Sequence, residues 1–106
     1  MENQCKFNTI WREMHEYAYS CNTVHETDAF NIWIYNLAAR FFCERCKRHF
    51  QSYLLEHPVE LSPDPFEWSW RFHNAVNIRL GKDPYPLVSA LKDVNNPVGC
   101  ESCKND

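Results

Sequence analysis

Glycine is nearly missing from this chain: two residues in 106. No stretch alternates apolar and polar residues with the period of two that a half-buried strand requires. A β-rich or βαβ architecture is therefore excluded, and with it the thioredoxin setting in which a Cys-x-x-Cys pair is often found. No apolar run approaches the roughly 20 residues that cross a bilayer. The opening residues, Met1-Glu2-Asn3-Gln4-Cys5-Lys6, have no apolar core of the kind a secretory signal carries. No basic stripe is present. Eleven Lys and Arg stand against 14 Asp and Glu, a formal charge of −3, which removes the electrostatic footprint of a nucleic-acid binder. Internal repeats and low-complexity segments are also absent. The expectation is a soluble, cytoplasmic protein without nucleic-acid or membrane partners.

What the chain does have is aromatic residues and cysteine. Four Trp, five Tyr and seven Phe make up 15% of it, enough to fill the spaces between helices or to flank a flat ring system. A length of 106 residues suits one domain with a modest core, which a cofactor, a disulfide or a partner subunit would help to stabilise. Six cysteines fall as two singles, Cys5 and Cys21, and two Cys-x-x-Cys pairs, Cys43/Cys46 and Cys100/Cys103. Disulfide frameworks belong mainly to oxidising compartments. Without an export signal, paired cysteines point to redox chemistry or to metal.

The apolar spacing predicts an all-α chain, a four-helix bundle with a short fifth helix. Phe7, Ile10, Trp11, Met14, Ala18 and Cys21 mark a first helix over about 8–20. Thr23-Val24-His25-Glu26 has capping-box spacing and opens a second helix, which should run to about Phe42. A third helix starts at Cys43 and stops at Pro58. Asp64-Pro65-Phe66-Glu67 opens a fourth, with Asp64 as N-cap and Glu67 in the reciprocal capping position. Gly81 closes that helix, and Pro86 to about Asp93 forms the fifth. Residues 1–94 make the helical domain, and 95–106 a flexible tail that carries Cys100 and Cys103.

Two stretches carry chemistry. Cys43 and Cys46 open a helix, where partial positive charge and free N–H groups favour a thiolate, and Arg45, Lys47 and Arg48 push the same way. On the fourth helix His73, Asn74 and Asn77 share one face at spacings of three and four residues. That face either points at solvent or meets a flat heterocycle rich in donors and acceptors. Trp11 and His15 lie one turn apart on the first helix, where plain core positions are the simpler reading. A zinc module using Cys43, Cys46, Cys100 and Cys103 is the alternative, although 53 residues separate the two pairs. Cys5 and Cys21 receive no role.

Taken in order, Trp11-x-x-x-His15, Cys43-x-x-Cys46-x-x-x-Phe50, Trp68 and His73-Asn74-x-x-Asn77-x-x-Leu80-Gly81-Lys82 resemble the Erv/ALR family of FAD-dependent sulfhydryl oxidases. The resemblance covers roughly 8–85, and the chain's compactness is similar to that of viral members. It departs from the family in having Phe41-Phe42 where Tyr-Pro usually precedes the pair. The family's second structural disulfide also has no clear counterpart. The resemblance implies FAD bound within one subunit of a homodimer, with Trp11, His15, Cys46, His73, Asn74, Asn77, Lys82 and Tyr85 against the cofactor. It implies that Cys43 meets incoming thiols while Cys46 faces the flavin and leaves as a thiolate stabilised by the helix end. Electrons would then pass to O2, giving hydrogen peroxide. Substrates would be protein dithiols or a thioredoxin-like carrier, and Cys100/Cys103 would shuttle electrons to Cys43. Host cytoplasm or virion is the implied location for a viral member, ahead of the mitochondrial intermembrane space.

Overall fold

The computed structural model describes residues 2–95, with side chains from Lys6 onward. Five α-helices follow one another: α1 over Glu2–Tyr19, α2 over Val24–Ala39, α3 over Glu44–Glu56, α4 over Pro65–Arg79 and α5 over Leu87–Asn95. A single 3-10 turn, Val59–Leu61, lies between α3 and α4. No strand occurs among the described residues, so the all-α expectation holds. No helix there is long and apolar enough to cross a membrane.

Each helix end has a local cause. Thr23 caps α2 through a complete capping box: its side chain accepts from the Glu26 N–H, and the Glu26 carboxylate accepts from the Thr23 N–H. Asp64 caps α4 by accepting from the Phe66 N–H at 3.0 Å, with Pro65 in the first turn. Glu67 does not close the expected reciprocal bond there. Its carboxylate turns outward to Arg71 at 2.8 Å, a partner one helical turn away that outcompetes a single backbone N–H. Gly81 takes φ 76° just past α4, a conformation that side chains resist. α2 ends three residues sooner than its apolar pattern suggests, because the chain leaves the helix at Arg40. Phe41 and Phe42 then stack on one another in the connection, with ring centroids 5.0 Å apart. α5 runs through Asn95, one residue into the expected tail. The rest of that tail, with Cys100 and Cys103, lies outside the described residues.

α1 packs against α4 and α5, and α2 packs against α3 and the 3-10 turn. Phe30, Met14, Ile34 and Val59 are the largest fully buried apolar side chains. Trp68 is buried and donates its indole N–H to the His57 carbonyl at 2.8 Å. That bond satisfies the carbonyl left free at the end of α3 and ties α4 to it. The connection after α3 is thereby fixed, and the first turn of α3 stands opposite the last turn of α4.

Candidate functional site

A cavity of about 330 Å³ opens between α1, α3 and α4, within the size range of small-molecule pockets. Each wall is one helical stripe. α1 contributes Phe7, Ile10, Trp11 and Met14; α3 contributes Cys46, His49, Phe50 and Tyr53; α4 contributes Phe72, Val76, Asn77 and Arg79. The walls are therefore aromatic and aliphatic, with a thiol in one of them. Five polar or charged groups, His49, Ser52, Glu56, Arg79 and Lys82, line the cavity and are exposed, which places them where it meets solvent. Asn77 is half-buried, and its side chain has no hydrogen-bond partner among the described residues.

Both cysteines of the pair are free thiols and half-buried, but their environments differ. Cys43 is the N-cap of α3, and its Sγ accepts from the Cys46 N–H at 3.4 Å. Its thiol is pulled below the ordinary value, first by a hydrogen bond from the Cys46 side chain, then by backbone N–H groups and the Arg45 charge. Cys46 is pushed up to about 11, first by burial, then by the hydrogen bond and the charge of Cys43, while Arg79 opposes the rise. The sequence predicts a helix end that favours thiolate at both sulfurs. In the structure the effect falls on Cys43, because only the N-cap side chain can receive the free N–H groups. Cys46 lines the cavity and Cys43 does not.

A directional hydrogen-bond chain supports the α1–α4 wall. Ser69 is fully buried and donates its only proton to the Phe66 carbonyl at 2.8 Å. It must therefore accept from His15 Nδ1, 3.0 Å away. Burial holds His15 down to about 4 and His73 to about 3, so both rings are neutral at pH 7. Neutral His15 carries its proton on Nδ1, and its Nε2 must accept from His73 Nδ1 at 2.8 Å. His73 Nε2 is left as an acceptor. The His73 ring lies flat on Trp11, with centroids 3.9 Å apart and planes 5° apart. No third ring fits between them.

Asn74 is occupied by the chain itself. Its amide accepts from the Tyr85 N–H at 2.6 Å and donates to the Tyr85 carbonyl at 3.1 Å. Trp70 donates to the same carbonyl at 2.6 Å. The Tyr85 hydroxyl meets Asp93 of α5, and its ring packs 5.1 Å from that of His73. The structure thus gathers Trp11, Cys46, Asn77 and Lys82 around the cavity. His15, His73, Asn74 and Tyr85 form a second layer behind Trp11. Sequence reasoning did not single out His49, Tyr53, Arg79 or Ser69. All four sit at helical spacing from Cys46, Phe72 or His73, a signal that was available.

A profile of the Erv1 / Alr family matches residues 8–98. The chain belongs to the Erv1 / Alr family. The match takes in α1 from residue 8, all of α2 to α5, and every cavity-lining residue from α3 and α4. Among similar proteins is a FAD-linked sulfhydryl oxidase of African swine fever virus (isolate Warthog/Namibia/Wart80/1980). It is 37% identical over 78 residues, which are 68% of this chain and 65% of that relative. The protein of the same description from isolate Pig/Kenya/KEN-50/1950 is 37% identical over 79 residues, 69% of this chain and 66% of the relative. The chain spans just under two thirds of the length of these relatives. Membership of the Erv1 / Alr family leaves the zinc alternative without support.

Proposed function

We propose that the protein is an FAD-dependent sulfhydryl oxidase that forms disulfides in protein dithiols through Cys43 and Cys46. The observation that carries this reading is the position of Cys46 in the wall of an aromatic cavity, with its CxxC partner capping the same helix outside it. Two viral relatives described as FAD-linked sulfhydryl oxidases support it.

The residues fit the cofactor. A flat, apolar ring system matches walls made of Trp11, Phe50, Tyr53 and Phe72. An unpartnered Asn77 amide offers both donor and acceptor. Arg79 and Lys82 supply positive charge where an anionic tail would emerge. When bound, FAD supplies two-electron oxidation of the Cys43–Cys46 dithiol and reoxidation by O2 to hydrogen peroxide.

The chain's own residues account for the thiol steps. With the pair oxidised, a substrate thiolate attacks Cys43 Sγ, the S–S bond breaks, and Cys46 takes the electron pair. A leaving thiol raised to about 11 is a poor one, yet two of the causes that raise it come from Cys43. Once Cys43 is tied up in a mixed disulfide, its charge and its hydrogen bond are gone, and Arg79 still lowers Cys46. The second substrate thiolate then displaces Cys43, releasing the substrate disulfide. Two electrons and two protons have moved from substrate to the pair.

Protein dithiols or a thioredoxin-like carrier are the proposed substrates, and O2 the acceptor. Cys100 and Cys103 are the proposed shuttle. A homodimer belongs to the same reading; Val24, Ile32 and Tyr35 on α2 are exposed apolar residues that a second copy would cover. The test is oxygen uptake by the purified protein with dithiothreitol. Stoichiometric hydrogen peroxide is expected, and Cys43→Ser and Cys46→Ser each abolish its formation. A colourless protein without turnover would overturn the reading.

A further inference from the structure

The charge around the dithiol has the opposite sign to the charge of the chain. The whole sequence carries −3. Yet between Arg40 and His49 there are four cations, Arg40, Arg45, Lys47 and Arg48, against one carboxylate, Glu44. α4 and the loop after it add Arg79 and Lys82 from the facing side. Except for half-buried Lys47, all of these cations are exposed. The only ion pair among them is a loose one, Lys47 to Glu44 at 3.9 Å. Among the described residues Arg45, Arg48 and Lys82 have no carboxylate partner.

The guanidiniums converge in space as well as in sequence. Arg79 contacts His49 Nδ1, and His49 is held below its ordinary basicity first by desolvation and then by the charges of Arg79, Arg45 and Arg48. Phe42, next to Cys43, is 43% exposed, and the Lys6 ammonium lies 5.3 Å above its ring. Glu56 is the sole carboxylate lining the cavity. The segment 40–49 around Cys43 and the end of α4 that faces it are therefore net cationic. An unpaired cationic surface repels itself and stabilises the fold little. It does attract and orient an oppositely charged partner.

We propose that this cationic rim is a docking surface for a polypeptide whose redox cysteines lie in an acidic segment. The inference rests on the oxidase reading and adds the chemical class of its substrate. A polypeptide is favoured over a nucleic acid because the rim surrounds a dithiol whose chemistry is exchange with other thiols.

Two measurements test it. In the first, oxygen uptake is compared for two dithiol peptides of equal length, one with Glu and Asp flanking the cysteines and one with Lys and Arg. Each rate is expressed relative to dithiothreitol, which is uncharged. The acidic peptide is expected to have about a tenfold higher kcat/KM at low salt, a steering effect of ordinary size. The advantage should shrink severalfold near 0.5 M salt as the charges are screened. In Arg40→Glu/Arg48→Glu the preference falls or reverses. The second measurement is fluorescence anisotropy with the acidic peptide carrying Ser in place of both Cys, so that binding is read without turnover. Binding by the unaltered chain that is lost in the double variant supports the rim. Equal rates for the two peptides, or no binding of the acidic one, would overturn the proposal, as would a preference unchanged by charge reversal. Tighter binding of a single-stranded oligonucleotide than of the acidic peptide would overturn it too. Failure with dithiothreitol sinks the oxidase reading instead, while the anisotropy still decides the docking surface.

Discussion

The asymmetry between two sulfurs three residues apart is set by which one caps the helix. Cys43 occupies the N-cap and receives N–H groups; Cys46 is inside the first turn and faces the cavity. Removing the strongest influence on the Cys43 thiol, the Cys46 side chain, is a direct check. In Cys46→Ala the side-chain donor is lost, so the Cys43 pKa should rise, and its alkylation by iodoacetamide at pH 7 should slow severalfold. Peptide-resolved mass spectrometry across a pH series reads it; an unchanged pKa would mean that the backbone alone sets it. The spacing Cys43-x-x-Cys46 made a reactive pair legible. It did not separate the two sulfurs, because that depends on where the helix begins to within one residue. His15 is the converse case. The sequence allows it to be either core or ligand, and its role turns on Ser69, 54 residues away, which no local pattern reveals.

At the scale of elements, α4 divides its polar face between two tasks. Asn74 spends both ends of its amide on the Tyr85 backbone, holding the α4–α5 connection, while Asn77 faces the cavity unpartnered. The two residues should therefore fail differently. Asn74→Ala is expected to destabilise the flavin-free chain by about 1–3 kcal/mol, the range for stranding buried hydrogen-bond partners. Asn77→Ala should leave that stability within about 0.5 kcal/mol and weaken FAD binding instead. Denaturant melts of the flavin-free variants and flavin titrations separate the two outcomes; equal effects on both would contradict the division. Helix periodicity had put His73, Asn74 and Asn77 on one face but could not say which of them the chain would use for itself. The element starts were more legible, since Thr23 and Asp64 act within four residues of their own positions. The early end of α2 was not, because the Phe41–Phe42 stack that follows it competes with helical continuation.

Over the whole molecule, the cavity joins α1, α3 and α4 while its supporting wall depends on two neutral imidazoles. Their folded pKa values, about 4 for His15 and about 3 for His73, lie below the ordinary 6.5. Between pH 6.5 and those values the unfolded chain binds more protons than the folded one, so stability rises with pH. The contribution is complete above pH 6.5 and is lost as pH falls toward 4, by up to about 1.4 kcal/mol per pH unit for each histidine. Thermal melts of the flavin-free chain from pH 7.5 to 4.5 should show this fall. His15→Gln should flatten it; an unchanged slope would show that other groups dominate. The cavity itself was the least legible feature. Its three stripes read equally well as core, and only their failure to close on one another leaves room for a ring. In the proposed function a flavin docks in that room beside Cys46. The most direct test is an anaerobic visible spectrum of the purified, FAD-loaded chain during dithiothreitol titration. One FAD per chain is predicted, bleaching fully in the unaltered protein, with the band retained but not bleached in Cys46→Ser. A Cys46→Ser variant that bleaches as the unaltered protein does, or a chain that takes up no flavin, would contradict the account.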